Sequence, residues 1–262
     1  MPFYYGLVAS FMPLSDLYHV PLYLLPPHPT LNNYVTLLAG KYPTELSSIS
    51  TAITRPMLNS LFVACCSTGG TLFFCSLAGF AFAKYRFAGR EPLFLLLLAT
   101  MMVPNAVGLI PNFMIISRLH WVDTYLPLIV PGLASAFGIF WMRQYMLSVP
   151  DELLDASRID GATEFGIYWN IVLPIVRPAL GALSIWTFLT NWNSFMGPLI
   201  YLKSEYRFTL PVFLALLNGL AHYKPVHLVI AGSMISVLPI VALFLALQRQ
   251  FVAGITMGAV KS

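Results

Sequence analysis

The segment from Ser148 to Pro174 reads SVPDELLDASRIDGATEFGIYWNIVLP, and it interrupts a chain that is otherwise almost entirely apolar. Five of the ten acidic residues of the chain fall within it: Asp151, Glu152, Asp155, Asp160 and Glu164. An apolar chain that gathers its carboxylates into one segment exposes that segment to water. The pattern therefore predicts a docking surface for a water-soluble partner.

The composition around this segment is typical of a membrane protein. Hydrophobic residues make up 58% of the chain and charged residues only 9%, whereas a soluble domain carries about 25% charged residues. The mean hydropathy is +0.77. Because lipid offers no partner for backbone N–H and C=O groups, the apolar runs are expected to be helices. The alternating pattern of a membrane β-barrel is not visible.

Five apolar runs reach the length of roughly 20 residues that a bilayer requires. They are Pro56–Ala83, Pro92–Ser117, Thr124–Arg143, Pro178–Leu202 and Val226–Leu247. Met1–Leu14 is too short to cross alone, and we expect it to be the far end of a first span that is missing its start, shortened or supplied differently. The predicted fold is an all-α polytopic bundle of five complete spans plus a shortened first one, forming one transmembrane domain over residues 1–262.

The basic residues predict the orientation of the chain. Lys84, Arg86 and Arg90 crowd one short connection, which favours the cytoplasmic side. Alternation from there places residues 148–177 and the C-terminus in the cytoplasm and residues 15–55 outside. The scattered basic residues flank apolar runs, so the net charge of +4 does not indicate nucleic-acid binding.

Within the polar segment, turn signals predict two short helices. Ser148 and Asp151 have the spacing of a capping box, with Pro150 at the start, and a helix is expected from Asp151 to Ile159. Gly161 can adopt positive φ and Asp160 can cap the next helix, which is expected from Thr163 to Ile171. The resulting two-helix knob contains small residues that permit close approach by another backbone: Ala156, Ser157, Gly161 and Ala162.

The spacing of this segment resembles the EAA loop of bacterial ATP-binding-cassette (ABC) importer permeases. The matching residues are Asp155-Ala156-Ser157, Gly161 after three further residues, and Ile171-x-Leu173-Pro174 after nine more. The resemblance implies that the loop is where the permease binds its ATPase. It assigns the coupling role to Glu152, Asp155, Ala156, Ser157, Asp160, Gly161, Ala162, Thr163, Leu173 and Pro174.

The rest of the chain resembles the smaller membrane subunit of the maltose-type carbohydrate importers. The matching stretches are Asn59-Ser60-Leu61, Ala83 to Arg90, Met102-Val103-Pro104, Ile110-Pro111, Trp192-Asn193-x-Phe195, Gln248-Arg249, Gly254 and Gly258 to Lys261. The chain departs from the family at Asp155 and Ser157, where Glu and Ala are preferred, and in lacking a complete first helix. The resemblance implies a multi-pass permease of the bacterial cytoplasmic (inner) membrane that imports a sugar or sugar-like solute.

The resemblance also implies partners. These are a second homologous permease subunit, two cytoplasmic ATPase subunits, an external substrate-binding protein and the lipid bilayer. ATP and Mg²⁺ are expected on the ATPase, because the one Gly-Lys pair of this chain, Gly40-Lys41, lacks the context of a phosphate-binding loop. No cofactor is therefore expected on this chain.

Two other classes of function fit the sequence less well. An ion-coupled secondary transporter commonly carries ionisable residues within the membrane, but all ten Asp and Glu residues lie outside or at the ends of the predicted spans. An integral-membrane enzyme is disfavoured because the five histidines show no metal-binding pattern, so no catalytic or metal site is predicted. Cys65, Cys66 and Cys75 lack CxxC spacing and are predicted to be packing residues.

The substrate path is harder to predict from sequence. Carbohydrate sites combine amides with aromatic faces, and prolines and glycines interrupt several spans, as they often do along transport paths. The candidates are Asn59, Asn105, Asn112, Asn191, Trp192 and Asn193. Hydrogen bonding between helices is the alternative, and for any single residue the more common, role of such an amide.

Overall fold

The computed structural model describes residues 2–42, 49–104, 106–219 and 224–259, and within these ranges the regular elements are all helical. The helices are α1 Pro2–Ser10, α2 Leu14–Leu17, α3 Asn32–Ala39, α4 Thr54–Lys84, α5 Arg90–Thr100, α6 Leu109–Arg118, α7 Leu126–Ile129, α8 Ala136–Met146, α9 Asp151–Ile159, α10 Glu164–Ile167, α11 Leu173–Ile175, α12 Arg177–Trp192, α13 Met196–Tyr201, α14 Leu210–Asn218 and α15 Val226–Ala259. The remaining regular elements of the described residues are two short 3-10 turns, at Val130–Gly132 and Glu205–Arg207, and one π-helical turn, at Tyr168–Val172.

The predicted number of spans is not confirmed. By length and composition, the described residues hold three helices that could cross a membrane: Thr54–Lys84, Leu126–Met146 and Val226–Gln248. A fourth is added if Glu164–Ile175 and Arg177–Trp192, which meet at 81°, form one broken span.

Three predicted spans are interrupted in the structure. Thr124–Arg143 holds α7 and a 3-10 turn that ends at Gly132, and α8 begins only at Ala136. The run Pro92–Ser117 is divided, because α5 ends at Thr100 and α6 begins at Leu109. Pro104 lies in this break, and a proline both lacks an N–H and disfavours helical backbone at the residue before it. The run Pro178–Leu202 is likewise divided, between α12 and α13. Each run is therefore two helices instead of one.

The contacts group the chain into two compact units. The first comprises Met1–Phe62, Val122–Tyr125 and Trp192–Ala242, and the second Val63–Trp121, Leu126–Asn191 and Leu243–Ser262. In the first unit, Val8, Ala9, Met12 and Leu17 form one buried cluster, against which Tyr5, Tyr23, Val226 and Ile230 pack. The expectation of a single domain over residues 1–262 stays a prediction.

The core of the second unit joins α4 and α8 to the polar segment. Its buried residues include Phe80, Met142, Met146, Leu154, Ile167 and Tyr168. Gly79 permits the close approach of α4 to α8, since a Cβ atom there would lie 2.7 Å from Cβ of Met142 and 3.0 Å from the backbone N of Arg143. Small residues at such contacts let helices pack backbone against backbone. Cys75 is buried, whereas Cys65 and Cys66 are exposed on this chain.

Candidate functional site

The first helix of the polar segment has the predicted bounds but a different start. Helix α9 begins at Asp151 with Pro150 at the N-cap position. The predicted capping box is wrong, because the Ser148 hydroxyl donates to the Tyr145 carbonyl at 2.7 Å instead. Acidic residues occupy the first turn and Arg158 the last, an arrangement that favours the helix dipole.

Gly161 lies in the turn after α9 and has the predicted positive φ, but the next helix is not capped by Asp160 as predicted. Gly161 has φ +82°, and a Cβ atom there would meet nothing within 4 Å. Thr163, not Asp160, caps α10, because its hydroxyl accepts from the Gly166 N–H at 3.1 Å. Thr163 has the extended backbone that a cap requires, whereas Asp160 closes α9 in helical conformation.

The second arm continues beyond its predicted end at Ile171. It runs from Glu164 to Ile175 as a short α-helix, a π-helical turn over Tyr168–Val172 and a final turn that contains Pro174. Pro174 has no N–H group to donate to the carbonyl four residues before it. The π-helical turn Tyr168–Val172, which is wider than an α-helical turn, lies just before this proline. Such π-helical turns are frequent at functional sites.

One arginine links the two arms of the knob. Arg158 lies 2.8 Å from Asp155 and 2.9 Å from Glu164, so Asp155 pairs within its own helix. The Tyr85 hydroxyl donates to the other oxygen of Glu164 at 2.5 Å. Hydrogen bonds from Arg158 and Tyr85 lower the pKa of Glu164. Burial, followed by the Glu164 contact, raises the pKa of Tyr85 to about 12.

Several apolar side chains at the knob are exposed on this chain. The sequence predicts that one of them, Leu153, leans toward the membrane core or the partner, and it does not point to the others. Only Leu154 of α9 is buried, whereas Ile159 is 87% exposed. Leu153, Phe165 and Trp169 are also exposed. The sequence signal that could have identified these side chains is that they are large and apolar, yet lie within an otherwise polar loop at positions other than the buried Leu154. The predicted coupling residues Glu152, Asp155, Ala156, Asp160, Gly161, Ala162, Thr163 and Pro174 are exposed, and Ser157 and Leu173 are partly buried.

Backbone carbonyls accept hydrogen bonds from the side chains of three predicted substrate-path residues: Asn59, Trp192 and Asn191. The Asn59 amide donates to the carbonyls of Tyr206 and Phe208, both at 2.9 Å. Trp192 is 2% exposed, and its indole N–H donates to the Ser236 carbonyl at 3.2 Å.

The third, Asn191, donates to the Thr187 carbonyl, one turn earlier in its own helix, at 2.8 Å. Asn112 on α6 and Asn193 in the break between α12 and α13 are exposed. Asn105 lies outside the described residues.

A carboxylate that the sequence did not point to organises the segment after α13. Asp123 accepts from the backbone N–H groups of Lys203 and Ser204, both at 3.0 Å, and from the Ser204 hydroxyl at 2.5 Å. Although burial acts to raise its pKa, these bonds and nearby Arg207 together lower the pKa of Asp123 to about 2. Asp123 has φ +60°, a conformation that Asp tolerates better than most residues.

Comparison with known proteins decides the identity of the chain. Residues 75–257 match the family model described as "Binding-protein-dependent transport system inner membrane component". The chain belongs to this family of inner-membrane transport components. It is 38% identical over 260 residues to the arabinooligosaccharides transport system permease protein AraQ of Halalkalibacterium halodurans, covering 97% of this chain and 88% of AraQ.

Two further relatives and one solved structure agree with the family. The lactose transport system permease protein LacG of Rhizobium radiobacter is 37% identical, covering 78% of this chain and 74% of LacG. The sn-glycerol-3-phosphate transport system permease protein UgpE of Yersinia enterocolitica is 31% identical, covering 97% and 89%. A crystal structure of a bacterial ABC transporter involved in the import of the acidic polysaccharide alginate shares the fold, with a TM-score of 0.82 at 21% identity over 95% of this chain and 90% of that one.

The predicted class of function is confirmed. The chain is a membrane permease subunit of an ABC transporter, a multi-pass component of the bacterial inner membrane. Its relatives are transport permeases and not enzymes, and the ion-coupled carrier is not favoured.

Proposed function

We propose that this family member imports a sugar or sugar-like solute and binds its ATPase through the loop Ser148–Pro174. The solute class is supported by the relatives, whose names refer to arabinooligosaccharides, lactose and sn-glycerol-3-phosphate. In this proposal the chain forms half of a translocation path. A second homologous permease forms the other half, two cytoplasmic ATPase subunits supply ATP and Mg²⁺, and an external binding protein delivers the solute.

The observation that carries the docking role is the exposure of four large apolar side chains on the knob: Leu153, Ile159, Phe165 and Trp169. The rings of Phe165 and Trp169 stack with their centroids 6.1 Å apart. Large apolar side chains exposed on an otherwise polar loop are typical of a protein–protein contact. At the glycine turn, a Cβ atom on residue 161 would meet nothing within 4 Å. The loop 148–177 and the C-terminus are accordingly proposed to be cytoplasmic, and residues 15–55 external.

The alternative partner of these exposed apolar side chains is lipid. Charged residues argue against lipid here, because Asp151, Glu152, Asp155 and Arg158 lie on the same nine-residue helix. A charged side chain within the bilayer is costly, whereas a polar rim around an apolar centre is the usual composition of a protein interface. A water-soluble protein therefore fits the knob better than an acyl chain does.

The test is a charge placed at Ile159, the most exposed of the four apolar side chains. Ile159→Glu in the complete transporter should release the ATPase during purification while the permease stays in the membrane fraction. Leu25→Glu is the matched control, since Leu25 is an equally apolar, 71% exposed side chain in the connection proposed to be external. Retention of the ATPase by Ile159→Glu, or its equal loss in both variants, would refute the docking role.

Among the six candidate path residues, Asn112 and Asn193 are proposed to be closest to the solute, because both side chains are exposed. Asn59, Asn191 and Trp192 are proposed to stabilise the helices that carry the path, since each donates to a backbone carbonyl. Asn105 is proposed as a path residue from its place in the sequence alone.

A further inference from the structure

Helix α4 presents one continuous stripe to the polar loop. Ser76, Phe80 and Lys84 are spaced four residues apart, so they lie on the same face of the helix. Tyr85 follows directly after the last turn. These four residues form a cluster, the α4 clamp, that contacts both arms of the loop.

The clamp holds the first arm through a buried cation. The Lys84 side chain is 6% exposed, and its ammonium group donates to the Val149 carbonyl at 2.5 Å and to the Asp151 carboxylate at 2.7 Å. A buried ammonium group is costly unless it is paired and hydrogen-bonded, so this contact fixes the start of α9 against the end of α4.

The clamp holds the second arm at two levels. Tyr85 donates to Glu164 at the start of the arm. Deeper in the unit, the Phe80 ring lies 5.6 Å from the Tyr168 ring. The Ser76 and Tyr168 hydroxyls lie 2.7 Å apart, and the π-helical turn begins at Tyr168.

We propose that Ser76, Lys84 and Tyr85 are positioning residues that make helix α4 and the loop Ser148–Pro174 move as one body. A loop attached at a single point could rotate when its partner moves, whereas attachment of both arms to one helix transmits the displacement along that helix. The proposal rests on the proposed function, in which the ATPase displaces this loop. It assigns the transmission of that displacement to α4.

The test measures a distance within the complete transporter in liposomes. With Cys65, Cys66 and Cys75 replaced by Ala, nitroxide spin labels are placed at Phe74 of α4 and at Asn170 of the loop, because both side chains are exposed and neither residue is assigned to the ATPase contact. The distance distribution is recorded by pulsed electron paramagnetic resonance without nucleotide and with ATP and vanadate. A third label on the ATPase reports whether that subunit moves.

If the clamp transmits motion, the distribution of Phe74–Asn170 distances stays narrow and unchanged while the ATPase label moves. In Lys84→Gln combined with Tyr85→Phe, the same distribution should widen and should shift on nucleotide binding. Lys84→Arg should restore the narrow distribution, and Arg86→Gln, which removes an exposed charge from the same connection, should not widen it. Tyr85→Phe alone removes only one hydroxyl group and serves if the double variant is poorly produced.

Two outcomes overturn the proposal. One is a Phe74–Asn170 distance that changes with nucleotide when the clamp is intact, and the other is a distance distribution in the clamp variants that does not widen. Failure of the proposed function is a different result, because the ATPase would then be absent from the purified complex or remain bound to Ile159→Glu.

Discussion

The hydroxyl groups of Ser76 and Tyr168 lie 2.7 Å apart, although the two residues are separated by 92 positions in the chain. Ser76 is fully buried and Tyr168 is 1% exposed. The contact joins the long helix α4 to the first residue of a π-helical turn. It therefore anchors the second arm of the proposed coupling loop inside the core of its unit.

Tyr168→Phe removes this hydrogen bond and keeps the ring. Ser76 retains the Leu72 carbonyl as an acceptor, so the expected loss of stability is small, about 1 kcal/mol. Thermal unfolding of the purified transporter should show it as a lowered midpoint. Tyr18→Phe is the control, because Tyr18 is 65% exposed; equal midpoints for the two variants would contradict the role given to the contact.

Gly161→Val tests the turn of the knob. Positive φ costs a residue with a Cβ atom about 1 kcal/mol or more, and the branched side chain fills the open space beside the glycine. We expect the permease to reach the membrane but to bind its ATPase weakly or to hydrolyse ATP without transport. Co-purification and ATP hydrolysis in liposomes measure the two effects.

Gly89→Val is the matched control for backbone strain. Gly89 has φ +84°, and a Cβ atom there would have one contact within 4 Å, at 3.8 Å from the Leu93 side chain. The two substitutions thus carry a similar conformational cost, and only the one at residue 161 should impair ATPase binding. Normal transport by Gly161→Val with the ATPase bound would remove the main support for the coupling role of the loop.

Asn193→Leu and Asn191→Leu separate a solute contact from a structural role. Asn193 is exposed in the break between α12 and α13, so its replacement should lower transport while assembly is kept. Asn191→Leu removes only a bond to the preceding turn and should affect transport less. Both effects are measured as uptake per assembled complex, using whichever of arabino-oligosaccharide, lactose and sn-glycerol-3-phosphate the unmodified transporter takes up in radiolabelled form. A parallel loss of assembly and uptake in Asn193→Leu would favour helix packing instead.

The Asp123 network predicts a dependence on acid. Its pKa is lowered from 3.8 to about 2, so the folded state favours the carboxylate. The stabilisation is fully present above the unfolded value and is lost as the pH falls from about 4 towards 2. Above about pH 4, the midpoint of unfolding should therefore be higher for the unmodified chain than for Asp123→Asn. The difference between the two midpoints should shrink as the pH falls towards about 2. A difference that does not change with pH would contradict the role of the charge.

Local sequence signals predicted the knob well where one short stretch decides the conformation. Helix α9 runs from Asp151 to Ile159 as predicted, and Gly161 adopts positive φ. The cap of the next helix was assigned to Asp160, but Thr163 provides it. Both residue types are good caps, and only the backbone conformation selects between them.

For the membrane spans too, one part was predictable from the sequence and another was not. Composition alone predicted a helical membrane protein, because lipid leaves backbone groups no other partner. It did not predict that the run Pro92–Ser117 is divided into two helices. A proline can bend a membrane helix or end it, and the outcome depends on whether neighbouring groups satisfy the freed carbonyls.

The membrane class, the family resemblance and the place of the acidic loop follow from composition or from spacing within a short stretch of sequence. The pairing of Lys84 with Asp151, of Tyr85 with Glu164 and of Ser76 with Tyr168 follows only from the packing of the helices. These pairs are 67, 79 and 92 residues apart. No local preference selects such partners, because a buried polar group is satisfied by whichever group the packing of the helices brings within reach.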